Sequence, residues 1–575
     1  MDHVTAEYGE KDIKVDFVQV RPSDPPRSKE DFFTFPHRKG WKLDRDYRLE
    51  PDVVESRSER FDVFMQAWLF FGLIFSIVQD ENGSILRFED LYEGQFLHTK
   101  NLRGALTKWM EWEEKHPDGI WLRMIDIEFV LDMARQVVRK NCGYSISKDH
   151  AEYATQPPRH SRHLTDENAL AFMTVGELLS AVKTKIMEKT KAYIPGWHGD
   201  DNHGWGPPRY VFKQMRREGW CPRAIHLLKG QLRSNATMLL AAYFAYQKTE
   251  RMTDGHRRCS ERECVVKSTN EKGEYIHRHK PNCDRSACKL KGPNIESIHK
   301  ILNMKRDDQG QGKYCIPIVK FSSDDPESVE LESTPFNGEE FAAISHVWAD
   351  GWGNEEDNTL PICHLRFIRR QLDQAYRHLH GPNQSGDLWF WMDTLVVPAK
   401  SKTEQEKKMK KRAIGQIFDV FQQAACTIVL DNGLCETTGE SDTNPAKTAM
   451  TILASGWMRR LWTLQEAFGS KKLYVTFEER GPMFNNLVDL DNLVHKLLKR
   501  SELSEDGLIS PITGSIRNQL RQNIMGPERD RRNLSLNKGD DRSDMPTDKA
   551  ATLVANAWHA ARWRVIIFAT NIPRT

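Results

Sequence analysis

FAAISHVWADGWGNEEDNTLPICHL (341–365), LWFWMDTLVVP (388–398), KRAIGQIFDVFQQAACTIVLDNGL (411–434) and RRLWTLQEAF (459–468) decide the fold. Each of the first three holds a short apolar run bounded by polar residues, next to a longer stretch of helical spacing. FAAI (341–344), LWFWMDT (388–394), CTIVL (426–430) and KLYVTF (472–477) read as strands. The stretches near 361–378, 404–424 and 445–468 read as the helices between them. Strands alternating with helices predict βαβ units and a parallel sheet.

In such a sheet, ligands bind beyond the carboxyl ends of the strands. FAAI runs into Ser345, His346 and Trp348, the second strand into Asp393 and Thr394, and CTIVL into Asp431 and Asn432. These groups are expected on one rim, although strands generally end in polar turn residues. Trp389 and Trp391 read as core, while Trp348 suits either core or a stacking surface. In the last block Trp462 and Glu466 stand four apart, on one helical face. A glutamate beside a tryptophan is partly desolvated, which raises its pKa or demands a partner, for which Arg459 and Arg460 are nearby. An ordinary solvated glutamate on an amphipathic helix fits the same spacing.

A second constellation lies upstream: HRRCSERECVVKSTNEKGEYIHRHKPNCDRSAC (256–288). Four of the ten cysteines fall in this short stretch, Cys259, Cys264, Cys283 and Cys288, with His277 and His279 between them. Zinc takes four thiolate or imidazole ligands in a tetrahedron, and two short-gap pairs joined by a loop suit one structural zinc site. Scattered reduced thiols or a redox pair fit the same residues. The stretch is basic, but Pro281 and the short spacing leave little room for a recognition helix, so nucleic acid is not the expected partner.

The four blocks, in this order over 341–475, resemble the fungal heterokaryon incompatibility (HET) domain. SHVW with its Gly-rich continuation and R-x-W-T-x-Q-E are the most diagnostic. Val396 and Val397 stand where that family usually carries a cysteine and a polar tail, so no cysteine role carries over at that point. WLFFGLIFSI, TKNLRGALTKW and MRREGWCPRAIHLL resemble the helical leader of long HET proteins, which extends the likeness to roughly 60–480. The resemblance implies fungal non-self recognition and programmed cell death, signalled through protein partners or self-association. It also implies a fold like the Toll/interleukin-1 receptor (TIR) domain, a parallel flavodoxin-like sheet.

Some TIR domains cleave NAD with a glutamate at the position matching Glu466. That likeness makes NAD a substrate to consider, with Glu466, Ser345 and Asp393 as catalytic residues and His346, Trp348, Arg460 and Trp462 as substrate contacts. A carboxylate there can hold ribose hydroxyls and stabilise an oxocarbenium-like ribosyl cation. HET proteins with a single histidine before the last cysteines point to His279 rather than His277. The expected zinc ligands are then Cys259, Cys264, His279, Cys283 and Cys288. A DNA-binding regulator built on this module is a further alternative.

The rest of the chain frames these two constellations. Its 575 residues suit three or four domains of roughly 150 residues. The balance of 83 Lys+Arg against 81 Asp+Glu leaves no global field for neutralising nucleic acid. Ten cysteines are too few for a disulfide scaffold of this length. AWLFFGLIFSIV (67–78) falls short of the roughly twenty residues a spanning helix needs and reads as a buried helix. No export signal is visible, so a reducing, cytoplasmic setting is expected.

The expected plan is α+β and multidomain. It comprises a polar, partly disordered leader (1–60), an α-helical region (61–250), a Cys/His module (251–295), the α/β unit (335–480) and a polar helical C-terminal region (481–575). KSKTEQEKKMKKR (400–412) reads as a solvated helix face rather than an import patch. TLVANAWHAARWR runs into VIIFATNIPRT, where the related proteins continue, and this suggests truncation. P-loop, H-E-x-x-H and G-x-S-x-G motifs are absent from the sequence, so ATPase, zincin and α/β-hydrolase classes lack their usual marks.

Overall fold

The computed structural model describes residues 13–51, 60–142 and 164–192, and most of 204–244, 258–304 and 315–502. Trp462, residues 1–12 and the whole of 503–575, with its helix-like TLVANAWHAARWR, lie outside the described residues.

Lys29–Arg38 (α1) is a helix of the leader; within 61–250 helices form as expected: Leu102–Lys115 (α2), Ile120–Asn141 (α3) and Asp166–Thr190 (α4), then Arg209–Arg217 (α5), Pro222–Gln231 (α6) and Asn235–Phe244 (α7). The apolar run forms helix over Phe61–Gln66, a wider π turn over Ala67–Gly72 and helix again over Leu73–Ile77. Phe64, Trp68, Phe71 and Phe75 within it are fully buried. Among the described residues no helix is long and apolar enough to cross a membrane.

The described part of the leader packs on the helical region. Ser28 caps α1 by accepting from the Asp31 amide, and α1 buries Phe32 and Phe35 completely. Phe35 stacks on Phe64 at 5.7 Å, and Trp68 Nε1 donates to the Phe32 carbonyl at 3.0 Å. The polar composition of 1–60 does not show this packing, because the leader's aromatic partners, Phe64 and Trp68, lie later in the chain. Burying such rings outweighs the polar average.

Further along the chain stand Leu290–Lys291 (β1), Ile295–Asn303 (α8), Pro317–Phe321 (β2), Leu331–Pro335 (β3), Phe341–His346 (β4), Leu360–Pro361 (β5) and Ile362–His380 (α9). Trp389–Trp391 (β6), Glu404–Gly415 (α10), Ile417–Gln423 (α11), Cys426–Leu430 (β7), Pro445–Leu453 (α12), Leu473–Thr476 (β8), Leu487–Asp489 (β9) and Leu490–Glu502 (α13) follow. Seven strands form one sheet in the order β3-β2-β6-β4-β7-β8-β9. The central four, β6, β4, β7 and β8, are parallel. Numbered by chain position they run 2-1-3-4, so the order reverses between β4 and β7.

Every residue of β4, β7 and β8 is buried, as parallel strands covered on both faces require. The core joins these strands to Leu365, Ile368 and Leu372 of α9, Met409 of α10 and Phe421 of α11. The sheet is mixed rather than purely parallel. β2 runs antiparallel to β6, β3 to β2, and β9 to β8. The links from β2 to β3 and from β8 to β9 are too short for a crossover, and only an antiparallel return is open to them.

Helix α10 begins with a capping box, Thr403 with Glu406, and buries only Met409 and Ala413. The basic run at 400–412 is thus mainly a solvated face.

Candidate functional site

Ser345 and His346 are the last two residues of β4, in register with Val429 and Leu430 of β7. They lie where the strand order reverses, the position at which open α/β sheets bind ligands. Ser345 is 1 % exposed. Its hydroxyl donates to Glu466 Oε2 at 2.5 Å and accepts from Trp457 Nε1 at 2.7 Å. Trp457 is itself fixed, because its amide donates to Asp431 Oδ2 at 2.8 Å. Glu466 therefore finds a partner in Ser345. Burial pushes its carboxyl up to about 8, the Asp393 charge adds to the rise, and the Ser345 bond opposes it. A carboxyl of this kind is largely protonated near neutrality and gives up its proton when a cation arrives beside it.

The second half of the rim centres on Asp393, which opens the short helix Asp393–Val396 after β6. His346 Nε2 lies 2.5 Å from Asp393 Oδ1. Trp348 Nε1 donates to Asp393 Oδ2 at 2.8 Å, and the Thr394 amide donates to Oδ1 at 2.6 Å. Burial alone raises the Asp393 carboxyl, but the His346 charge and these three donors outweigh it and hold the group below its ordinary value. The two carboxyls of the rim are thus driven apart: Asp393 stays ionised while Glu466 keeps its proton. Such a split marks functional sites and also occurs in structural networks. His346 Nδ1 is buried with no hydrogen-bond partner among the described residues.

Trp352 and Asn432 close the floor of the rim. Trp352 Nε1 donates to Asn432 Oδ1 at 2.9 Å, and the Trp352 carbonyl accepts from Thr394 Oγ1 at 2.9 Å. Asn432 also bonds Asp350 through both its amide groups. Of the expected site residues, Ser345, His346, Trp348, Asp393 and Glu466 converge. Arg460 is half-buried; its amide donates to the Trp457 carbonyl at 3.3 Å and its carbonyl accepts from Thr463 Oγ1 at 2.9 Å. Trp457 and Trp352 are the contacts that sequence spacing missed. The GWMRR block held Trp457, but nothing local indicated that its indole would reach β4.

The Cys/His residues fold into two groups instead of one. His279, Cys283, Cys288 and Cys363 form the first, with ligand atoms all within 4.8 Å of one another. Cys221, Cys259 and Cys264 form the second on the same criterion. Both are geometrically able to hold a metal ion such as zinc. The single site expected from sequence, Cys259, Cys264 and His279 with one or both of Cys283 and Cys288, is therefore corrected, because Cys259 and Cys264 meet Cys221 at the start of α6 and not His279. In tetrahedral zinc with bonds of about 2.0–2.3 Å, neighbouring ligand atoms stand about 3.5–3.8 Å apart. Cys283 Sγ lies 3.6 Å and Cys363 Sγ 3.8 Å from His279 Nδ1. The Lys280 amide donates to Cys363 Sγ at 3.4 Å, the outer-shell support that a metal-bound thiolate takes.

Cys363 stands in the first turn of α9, so the first group ties the Cys/His module to the α/β sheet. β1 pairs antiparallel with β5, and the Ile362 amide donates to the Lys289 carbonyl at 3.0 Å. Gly292 allows this close approach, since a Cβ there would stand 2.0 Å from the Asn358 carbonyl oxygen. Gly351, at φ +88°, turns the rim loop beneath Arg278. His364, next to Cys363, stacks on Trp352 at 4.1 Å. Burial holds its imidazole well below the ordinary value, with the Lys280 charge adding to the effect. The module therefore abuts the rim through Cys363, His364 and Trp352. Among the described residues of 258–289 there are turns and no recognition-length helix.

No protein family, curated protein or solved structure matches the chain.

Proposed function

We propose that the chain is a HET-type protein of fungal non-self recognition, whose α/β unit passes on a cell-death signal through protein partners or self-association. The reading is supported by one observation above all. The blocks that resemble the HET family, SHVW, WMDT and the glutamate-bearing block after β7, meet through side-chain bonds at the carboxyl ends of the parallel strands. Blocks far apart in sequence have then been assembled into one rim, which is what a working surface requires and a chance likeness does not.

A second reading, NAD cleavage, is favoured by the opposed states of the two rim carboxyls. Glu466, positioned by Ser345, would face the ribosyl cation that forms as the N-glycosidic bond breaks, and release of its proton would supply the compensating charge. Asp393 would hold His346 and Trp348 in place for the ribose and base.

The group at His279, Cys283, Cys288 and Cys363 belongs to the same proposal as a structural zinc site. Zinc bound there supplies no chemistry of its own and fixes the rim loop against the module.

Induced expression of the full chain in fungal cells, with growth and NAD content followed together, tests both readings. Arrest at constant NAD supports signalling and removes the enzymatic reading. Loss of NAD before arrest establishes cleavage. Unaffected growth at a clearly detected protein level contradicts the proposal.

A further inference from the structure

We propose that Cys221, Cys259 and Cys264 hold a second zinc ion, distinct from the one at His279, with its fourth coordination position open to an exchangeable ligand. The two groups share no residue. Cys259 Sγ and Cys264 Sγ lie 3.7 Å apart, the edge expected between thiolates of a zinc tetrahedron (about 3.7 Å from Zn–S bonds of about 2.3 Å).

The loop between them is built to aim both sulfurs one way. The Ser260 amide donates to the Glu263 carbonyl at 2.9 Å, while Ser260 Oγ accepts from the Arg262 and Glu263 amides at 3.2 and 3.1 Å. These bonds fold the cysteine pair into one tight turn. Arg223 of α6 then donates to the Glu261 carbonyl at 3.1 Å and anchors that turn on the helix.

The third sulfur comes from the N-cap of α6, a ten-residue helix. There the Ala224 and Arg223 amides at the start of the helix donate hydrogen bonds towards Cys221, the outer-shell support that a metal-bound thiolate takes. Three thiolates around Zn2+ carry a net charge of −1. The guanidinium of Arg223 sits beside the loop, and Lys229 and Arg216 act on Glu261 in the same neighbourhood.

Burial is graded: Cys221 and Cys259 are buried, and Cys264 is exposed. One side of the ion then faces solvent. Among the described residues no fourth ligand joins these three, which leaves room for water or a small donor.

The test uses the full chain purified under reducing, anaerobic conditions, with metal measured by mass spectrometry. The expected content is two zinc ions per chain. Cys221→Ser is expected to lose one and keep the other, and Cys363→Ser is expected to do the converse. One zinc in the wild-type chain, two zinc in Cys221→Ser, or copper in place of zinc would overturn the assignment. So would a Cys259–Cys264 disulfide found by peptide mapping of the anaerobic protein.

Cobalt substitution covers the case in which a variant misfolds. In the wild-type chain, imidazole is expected to shift the visible cobalt bands through the open position, and Cys221→Ser is expected to lose about half of the thiolate-to-cobalt absorbance. No shift with imidazole removes the open position from the proposal, and unchanged absorbance removes the site.

Discussion

Ser345 donates its hydroxyl proton to Glu466 Oε2 across 2.5 Å, joining residues 121 apart in the chain. The bond links the end of the first parallel strand to the block that follows the third, and it holds a carboxyl whose burial pushes it up to about 8. An unfolded glutamate titrates near about 4.3. The folded chain therefore holds the extra proton between these values. Stability from this group is present below the unfolded value and is lost as pH rises towards 8. Glu466→Gln never ionises, so its melting temperature should fall less steeply from pH 5 to 8 than that of the wild type. Thermal unfolding at several pH values checks this, and parallel curves would place Glu466 in water.

Asp393 accepts from Trp348, Thr394 and His346 at once. Asp393→Ala leaves these buried donors without an acceptor, which costs about 1–3 kcal/mol for each group left unsatisfied. Urea titration should show a lower midpoint with an unchanged slope. A midpoint equal to the wild type would mean that the rim is held by the backbone alone.

Gly292→Ala would place a methyl group against the Asn358 carbonyl. The backbone on both sides must shift, at a cost on the order of 1–3 kcal/mol, and the β1–β5 pair should open. Faster amide exchange at Leu360 and Ile362, with β7 unaffected, is the expected signature. Unchanged protection at those amides would show that the two segments are not in contact.

Removing metal should act at the same joint. A strong chelator is expected to expose 277–290 to protease before the α/β sheet unfolds, and Cys363→Ser should do so without chelator. Equal protease resistance with and without metal would deny the joint a structural ion.

Much of the α/β unit was legible because its signals are local. Cys426–Leu430 is an unbroken apolar run closed by Asp431, and the strand occupies those five residues. The candidate rim followed from reading which polar residues end each strand. The metal ligands were harder. Cys363 sits 84 residues from His279, and Cys221 caps α6, well before the turn that carries the cysteines it meets. Spacing shows only ligands that are close in sequence, so the two groups looked like one. Trp457 and the aromatic anchors of α1 escaped for the same reason, since each is defined by a partner brought near only by packing. The antiparallel edges were missed because PIVKF (317–321) and LESTP (331–335) lie outside the blocks that carry the alternating pattern.

The most direct measurement compares fungal cells expressing the full chain with cells expressing Glu466→Gln, at equal levels of folded protein, and follows growth. If the rim is the working surface, the wild type arrests growth and Glu466→Gln does not. Equal arrest by both chains would contradict that claim and move the activity away from the Ser345–Glu466 pair.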